Sequence, residues 1–286
     1  MRVRLFISFL LILGVFIAVA GCVGTDSSLD DDKLVVAVSI VPEETFVKEV
    51  AGDNAEVIVM IPPGYSPETY DLTPKQMQKL AGADIYFAIG VPSESAILPS
   101  LNPDTRCVCL QDAVAAVYPD LEMDGARDPH IWLSPRRAEV MVDTIASVLS
   151  SYDAGHSAEY QKNADAYKEK IAEASRDAAE LLKNAAGRTF IATHPAYAYF
   201  ADEYGLKMLS LEKDGKEATI QHMQDLLDVA KAGHISTIFY QQEAEMAQAN
   251  AFAEEIGGST ALLSPLASDY TENIRSMAAA IAAGVA

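Results

Sequence analysis

Basic residues are scarce in this chain. Its 286 residues carry 21 Lys and Arg against 41 Asp and Glu, a formal net charge of −20. A body this acidic is a poor nucleic-acid binder. The charge is compatible with attracting cations but does not by itself show it, and most of the acids read as solvated surface. Cysteine is almost as scarce, with only Cys22, Cys107 and Cys109. Cys107 and Cys109 sit in "DTRCVCLQD", an alternating strand-like stretch that points both to one face and strains a mutual disulfide. A C-x-C pair suits a soft metal. Two small buried hydrophobes is the plainer reading. The sequence has no tandem repeat and no H-E-x-x-H motif. What it has is apolar content: half of its residues are hydrophobic, enough for the core of one large domain or two small ones.

The start of the chain stands apart. "MRVR" is a short basic segment, and "LFISFLLILGVFIAVA" an unbroken apolar run that ends at "VAGC". This is the pattern of a signal peptide over residues 1–21. Small residues immediately before Cys22 resemble a lipobox, in which the cysteine becomes the lipidated N-terminus. The polar residues 22–32 then form a tether. An uncleaved transmembrane anchor is the alternative, and either reading places the body outside the cytoplasm. Without residues 1–21, which hold Arg2 and Arg4 and no acid, the net charge moves from −20 to −22.

From Lys33 onward, strand-like and helix-like runs alternate. "KLVVAVSIV", "AEVIVMI", "DIYFAIG" and "TRCVCL" are strand candidates, with helical "PEETFVKEVAG" and "TPKQMQKLAGA" among them. Thr73 and Pro74 are a helix-start pair, as are Ser134 and Pro135. Residues 157–187 lack proline and internal glycine and are rich in strong helix formers. A single helix there runs roughly 40 Å, long enough to be a strut between two halves. Beyond it "RTFIAT", "LKMLSL", "STIFYQ" and "STALLS" are strands, again separated by helical stretches. Strands alternating with helices predict parallel sheets. The expected architecture is α/β: a lobe over 33–155, a linking helix over 156–187, a second lobe over 188–286, and a cleft between the lobes.

His156 and His222 stand in polar helical contexts and His234 near a helix end, where solvated or capping roles are the default. His130 in "RDPHIWLSPRR" and His194 in "FIATHPAYAYF" are different. His194 directly follows a strand, and open parallel sheets bind ligands beyond the carboxyl ends of their strands. Glu68, in "PPGYSPETYDLTP", also follows a strand by a few residues. Imidazole and carboxylate suit a first-row transition metal.

Read in order, "PPGYSPETYDLTPKQMQKLAGADIYFAIG", "DPHIWLSP", "THPAYAYFADEYGLK" and "PLASDY" resemble the zinc/manganese solute-binding proteins that feed ABC importers, the ZnuA-like and TroA-like family. The resemblance runs from about Lys33 to the C-terminus. It implies two α/β lobes joined by a long backbone helix, and four metal ligands. His130 and His194 match the second and third. The first is usually a histidine, where this chain has Glu68; the fourth is usually an aspartate before a "PL" dipeptide, where it has Ser264. Asp269, Gln241, Glu243 or water are the other candidates for that fourth place. The His-rich acidic loop of many zinc-specific members is absent, since "DLEMDGARDPH" is short. A carboxylate for an imidazole makes the site harder, leaning toward manganese or iron over zinc.

The resemblance implies a lipid-anchored monomer that captures Zn²⁺, Mn²⁺ or Fe²⁺ and delivers it to a membrane permease, with no nucleic-acid partner and no catalysis. Two other readings stay open: a member with a degenerate site that binds another solute or no metal, and an extracytoplasmic metallohydrolase.

Overall fold

The structure, a computed structural model, describes residues 33–123, 125–212, 219–242 and 246–285. The leader, Cys22 and Glu243 therefore lie outside the described residues. Among the described residues no helix is long and apolar enough to cross a membrane.

The first half contains β1 (Leu34–Val38), α1 (Val41–Ala51), β2 (Ala55–Val59), α2 (Pro74–Leu80), β3 (Ile85–Ala88), α3 (Glu94–Ile97), β4 (Arg106–Cys109) and α4 (Leu110–Ala115). A hairpin of β5 (Glu122–Met123) and β6 (Ala126–Arg127) then leads to α5 (Pro135–Tyr152) and the long α6 (Ser157–Leu182). The second half contains β7 (Thr189–Ala192), α7 (Ala198–Tyr204), β8 (Lys207–Ser210), α8 (Ile220–Ala232), β9 (Thr237–Tyr240), α9 (Met246–Glu255), β10 (Ser259–Leu262) and α10 (Tyr270–Gly284).

Both four-stranded sheets are wholly parallel, in the orders β2-β1-β3-β4 and β10-β9-β7-β8. These are the same winding: the first strand pairs with the second on one side and the third on the other. The chain reverses direction across the sheet between β1 and β3, and between β7 and β9. Such switch points leave a crevice beyond the strand ends.

Local signals explain several elements. Thr73 caps α2 by accepting from the Gln76 amide, and Pro74 occupies its first turn. The strut is α6, whose buried residues Tyr160, Ala164, Tyr167, Ile171, Ala174, Ala178 and Leu182 recur every three or four positions. That stripe packs on α1, α5 and α10, so one helix touches elements of both halves. Helix α6 closes at Leu182 rather than continuing to 187, and the chain turns through Gly187 at φ 76°.

Further ties join the halves. The Phe46 and Tyr270 rings meet edge to face at 4.9 Å. The Trp132 indole donates to the Pro265 carbonyl at 2.8 Å, and the Tyr270 hydroxyl to the Trp132 carbonyl at 2.8 Å. Buried bonds of this kind oppose large hinge motions.

Two expectations change. Ser134 occupies the N-cap position of α5, but its hydroxyl donates to Glu203 instead of capping the helix. Cys107 and Cys109 are not buried hydrophobes. The first is exposed and the second half-buried, both as free thiols, because β4 is the edge of its sheet.

Candidate metal centre

Three loops converge beyond the strand ends. Glu68 lies between β2 and α2, His130 between β6 and α5, and His194 two residues after β7. Glu68 Oε1 is 3.6 Å from His130 Nε2 and 3.3 Å from His194 Nε2, and the two Nε2 atoms are 3.4 Å apart. No other group of three or more His, Cys, Asp or Glu side chains is placed to hold a metal among the described residues.

The donor triangle can be tested against coordination chemistry. Zinc bonds of about 2.0–2.1 Å in a tetrahedron set neighbouring ligand atoms about 3.3–3.4 Å apart. Observed edges of 3.3, 3.4 and 3.6 Å have that size. The residues present therefore fit a divalent ion held by two imidazole nitrogens and one carboxylate oxygen.

Each histidine is steered by a carboxylate on its far nitrogen. His130 Nδ1 lies 2.7 Å from Asp128 Oδ1, which also accepts the His130 amide at 2.9 Å. His194 Nδ1 lies 2.7 Å from Glu212 Oε2. This leaves both Nε2 atoms facing the centre, the orientation that outer carboxylates impose on metal-binding imidazoles. Asp128 is fully buried, and its backbone carbonyl accepts from Gln111 Nε2 at 2.9 Å. Gly90, at φ 91°, passes so close to Gln111 that an added Cβ would lie 2.6 Å from its Oε1. Only glycine fits there.

The electrostatics follow from these contacts. Burial alone would raise the Glu68 carboxyl, but the neighbouring His130 and His194 imidazoles, with a hydrogen bond from the Ser66 hydroxyl, outweigh it and hold the group well below the usual carboxylate range. Burial opposes charge on His194, yet Glu212 and Glu68 raise it to about 9. His130 is likewise raised against its burial, by Asp128 and Glu68. The carboxylates that aim the two Nε2 atoms therefore also favour positive charge at the centre. Glu212→Ala is expected to lower zinc affinity by about 10–100-fold, as loss of an outer-shell carboxylate does; competition against a chelating dye measures it.

The remaining candidates are placed differently. Asp269 is exposed, and its Oδ1 caps α10 by accepting the Glu272 amide. Ser264 is half-buried and uses its carbonyl to accept from Asn273 Nδ2. Gln241 is buried just past β9, beside the strand that leads to His194, and its Oε1 has no hydrogen-bond partner. His156 pairs with Asp153, His222 Nε2 lies 3.0 Å from the Ser210 carbonyl, and His234 sits at φ 53° after α8.

Sequence reasoning missed Glu212. It stands 18 residues from His194 and is brought beside it only because β8 pairs with β7. The available signal was an acid two residues past a strand end.

Comparisons with known proteins give the family and the fold. Residues 36–284 match the family described as zinc-uptake complex component A, periplasmic. The chain is 30% identical over 264 residues to the zinc-binding lipoprotein AdcA of Streptococcus pneumoniae, covering 86% of this chain and 52% of that protein. It thus spans about half the length of AdcA. Over 272 residues it is 27% identical to the high-affinity zinc uptake system protein ZnuA of Bacillus subtilis, covering 88% of this chain and 85% of that one. A crystal structure of ZnuA matches with a TM-score of 0.83 and 31% identity, over 89% of this chain and 100% of that one. With its paired parallel sheets, long connecting helix and histidine–carboxylate centre, the chain belongs to the ZnuA family of zinc-uptake components.

Proposed function

We propose that this protein is the extracytoplasmic metal-capturing component of an ABC importer, that Glu68, His130 and His194 hold the ion, and that the ion is zinc. The observation that carries the reading is the donor triangle, two Nε2 atoms and one carboxylate oxygen with 3.3–3.6 Å edges. Edges of this size suit a four-coordinate ion, a geometry zinc readily takes, although the carboxylate alone suggests manganese or iron from sequence. Zinc is also what the names of AdcA and the B. subtilis relative specify. A fourth position is left for water or another side chain. Asp128 and Glu212 are both engaged with histidine Nδ1 atoms, so neither is free to act as a general base, and binding rather than hydrolysis is the supported chemistry.

The ligands divide between lobes of 33–155 and 188–286, with the strut between them. Glu68 and His130 come from the first and His194 from the second. An ion that bridges them biases the arrangement of the lobes, which a membrane permease can read. Cys22 is the proposed lipid attachment, which tethers the monomer at the outer face of the membrane.

Thermal shift of chelator-stripped protein tests the reading. Zinc at about 1,000 times its Kd stabilises a native state by ~4 kcal/mol, which for a body of this size is a rise of about 10 °C. Glu68→Ala is expected to weaken that rise and Glu68→His to retain or increase it. No shift with Zn²⁺, Mn²⁺ or Fe²⁺ would overturn the proposal. A normal shift in Glu68→Ala would remove Glu68 from the ligand set.

A further inference from the structure

A cluster of buried polar side chains lies beneath the metal-site loop and touches none of the three ligands. Glu94, at the start of α3, is 4% exposed. Its Oε1 accepts from Ser39 Oγ at 2.5 Å and from the Ile89 amide at 2.8 Å, and its Oε2 accepts from the Gly90 amide at 2.9 Å. Ser39 Oγ lies 2.6 Å from the Tyr86 hydroxyl, and the Ser39 amide donates to Glu43 at 3.0 Å. Glu43 is fully buried with one oxygen unpartnered. Burial pushes both carboxyls up, and the Glu94 charge adds to the rise at Glu43. Two carboxyls buried together are costly unless they are fixed by hydrogen bonds, and a packed apolar pair would fill the same space at lower cost.

The cluster grips the Glu68 loop at two points. The Ser39 carbonyl accepts the Ile61 amide at 3.0 Å, where the chain leaves β2 for "PPGYSPETYDLTP". Ser93, adjacent to Glu94, donates both its amide (3.1 Å) and its hydroxyl (2.5 Å) to the Pro67 carbonyl. That carbonyl belongs to the peptide joining Pro67 to Glu68. Two donors on one oxygen fix the plane of this peptide, and with it the direction in which the Glu68 side chain leaves the backbone. The loop is otherwise free of regular secondary structure; within it the Ser66 hydroxyl donates to the Glu68 carboxylate and accepts the Glu68 amide at 3.2 Å, and the Ser93 grip sets the backbone from which both side chains leave.

We infer that Glu94 is a positioning residue for the metal centre: by anchoring the loop after β3 and the first turn of α3, it holds Ser93 against the Pro67 carbonyl and so aims Glu68 at His130 and His194. The inference rests on the proposed metal site and goes beyond it, because Glu94 and Ser93 are not ligands and contact no ligand side chain.

A double-mutant cycle on the full chain separates positioning from simple stabilisation. Zinc affinity is measured by competition with a chelating dye for Glu94→Gln, Ser93→Ala, Glu68→Ala and the two combinations with Glu68→Ala. Circular dichroism of the metal-free proteins reports that each is folded. Glu94→Gln is expected to lower zinc affinity by about tenfold or more in the native background, within the range of outer-shell losses. In the Glu68→Ala background its effect should shrink to less than about twofold, because the side chain it aims is gone. Ser93→Ala should follow the same pattern with a smaller loss. It removes one of two donors, so it keeps the test available if Glu94→Gln does not fold. Equal losses in both backgrounds, or no loss in either, would overturn the inference and leave Glu94 a fold-stabilising group alone. Failure of the metal reading itself is distinguishable: the unsubstituted protein would bind no zinc, which overturns both.

Discussion

Replacing His194 with alanine is expected to lower zinc affinity by more than ~100-fold, and His130→Ala by a comparable factor. Loss of an outer-shell partner typically costs about 10–100-fold, and an inner ligand contributes more than the group that orients it. His194 has the larger expected consequence because it is the single ligand from the second sheet, following β7. In the proposed site the ion would then be held by Glu68 and His130 alone and would no longer bridge the two lobes. His194→Ala should therefore remove zinc-induced stabilisation of contacts between the lobes as well as affinity. The 2.7 Å partner Glu212 would then be left without its imidazole, so the metal-free variant is also expected to melt at a different temperature. Dye competition and calorimetric melting with and without zinc measure the two effects. A variant that binds zinc within threefold of the native protein would exclude His194 as a ligand.

The second large effect is a pair of opposite pH dependences. The folded-state pKa of His194 is raised to about 9, against about 6.5 in an unfolded chain. The stability it contributes to the metal-free protein is fully present below about pH 6.5 and is lost as pH rises toward 9. In that interval the folded state binds more protons than the unfolded state, so stability falls by up to ~1.4 kcal/mol per pH unit from this group. Zinc binding has the reverse sign. It requires the neutral imidazole and displaces the proton, so His194 by itself makes apparent affinity climb by up to about tenfold per pH unit over the same interval, and His130, also raised, steepens the climb where it titrates. Glu68, held well below the usual carboxylate range, stays ionised and adds no slope there. Its own contribution is present above the ordinary carboxylate pKa and disappears only as pH falls further. Melting of chelator-stripped protein from pH 6.5 to 9, with chelator-buffered zinc titrations at the same points, measures both. An affinity that is flat above pH 7.5 would contradict the raised His194.

Much of the fold was legible because its signals are local. Thr73 with Pro74 marked the start of α2, and the lack of proline and internal glycine together with strong helix formers over 157–187 marked α6, which ends at Leu182. The alternation of strands with helices implied parallel sheets, and both sheets are parallel. The short helices α3 and α4 were not legible, since four and six residues are too few to show a period. The matched winding of the two sheets was also invisible: it is a relation between backbones that no shared residues record. Cys107 and Cys109 were misjudged because alternation reports which face a side chain takes, not whether its strand lies at an edge.

The candidate site was partly legible for the same reason. Glu68, His130 and His194 each follow a strand or precede a helix in sequence, and their order carried a family resemblance. Glu212 and Glu94 matter through contacts that topology makes. One reaches His194 across paired strands, and the other reaches Glu68 through Ser93 and the Pro67 carbonyl. Nothing near either acid in sequence states its partner.

The most direct test of the metal centre is the zinc content of the full chain after chelator treatment, zinc loading and dialysis, beside that of the triple variant Glu68→Ala, His130→Ala and His194→Ala. The geometry predicts one zinc per native chain and none retained by the triple variant. An unloaded native chain, or a triple variant that retains as much zinc as the native chain, would contradict it.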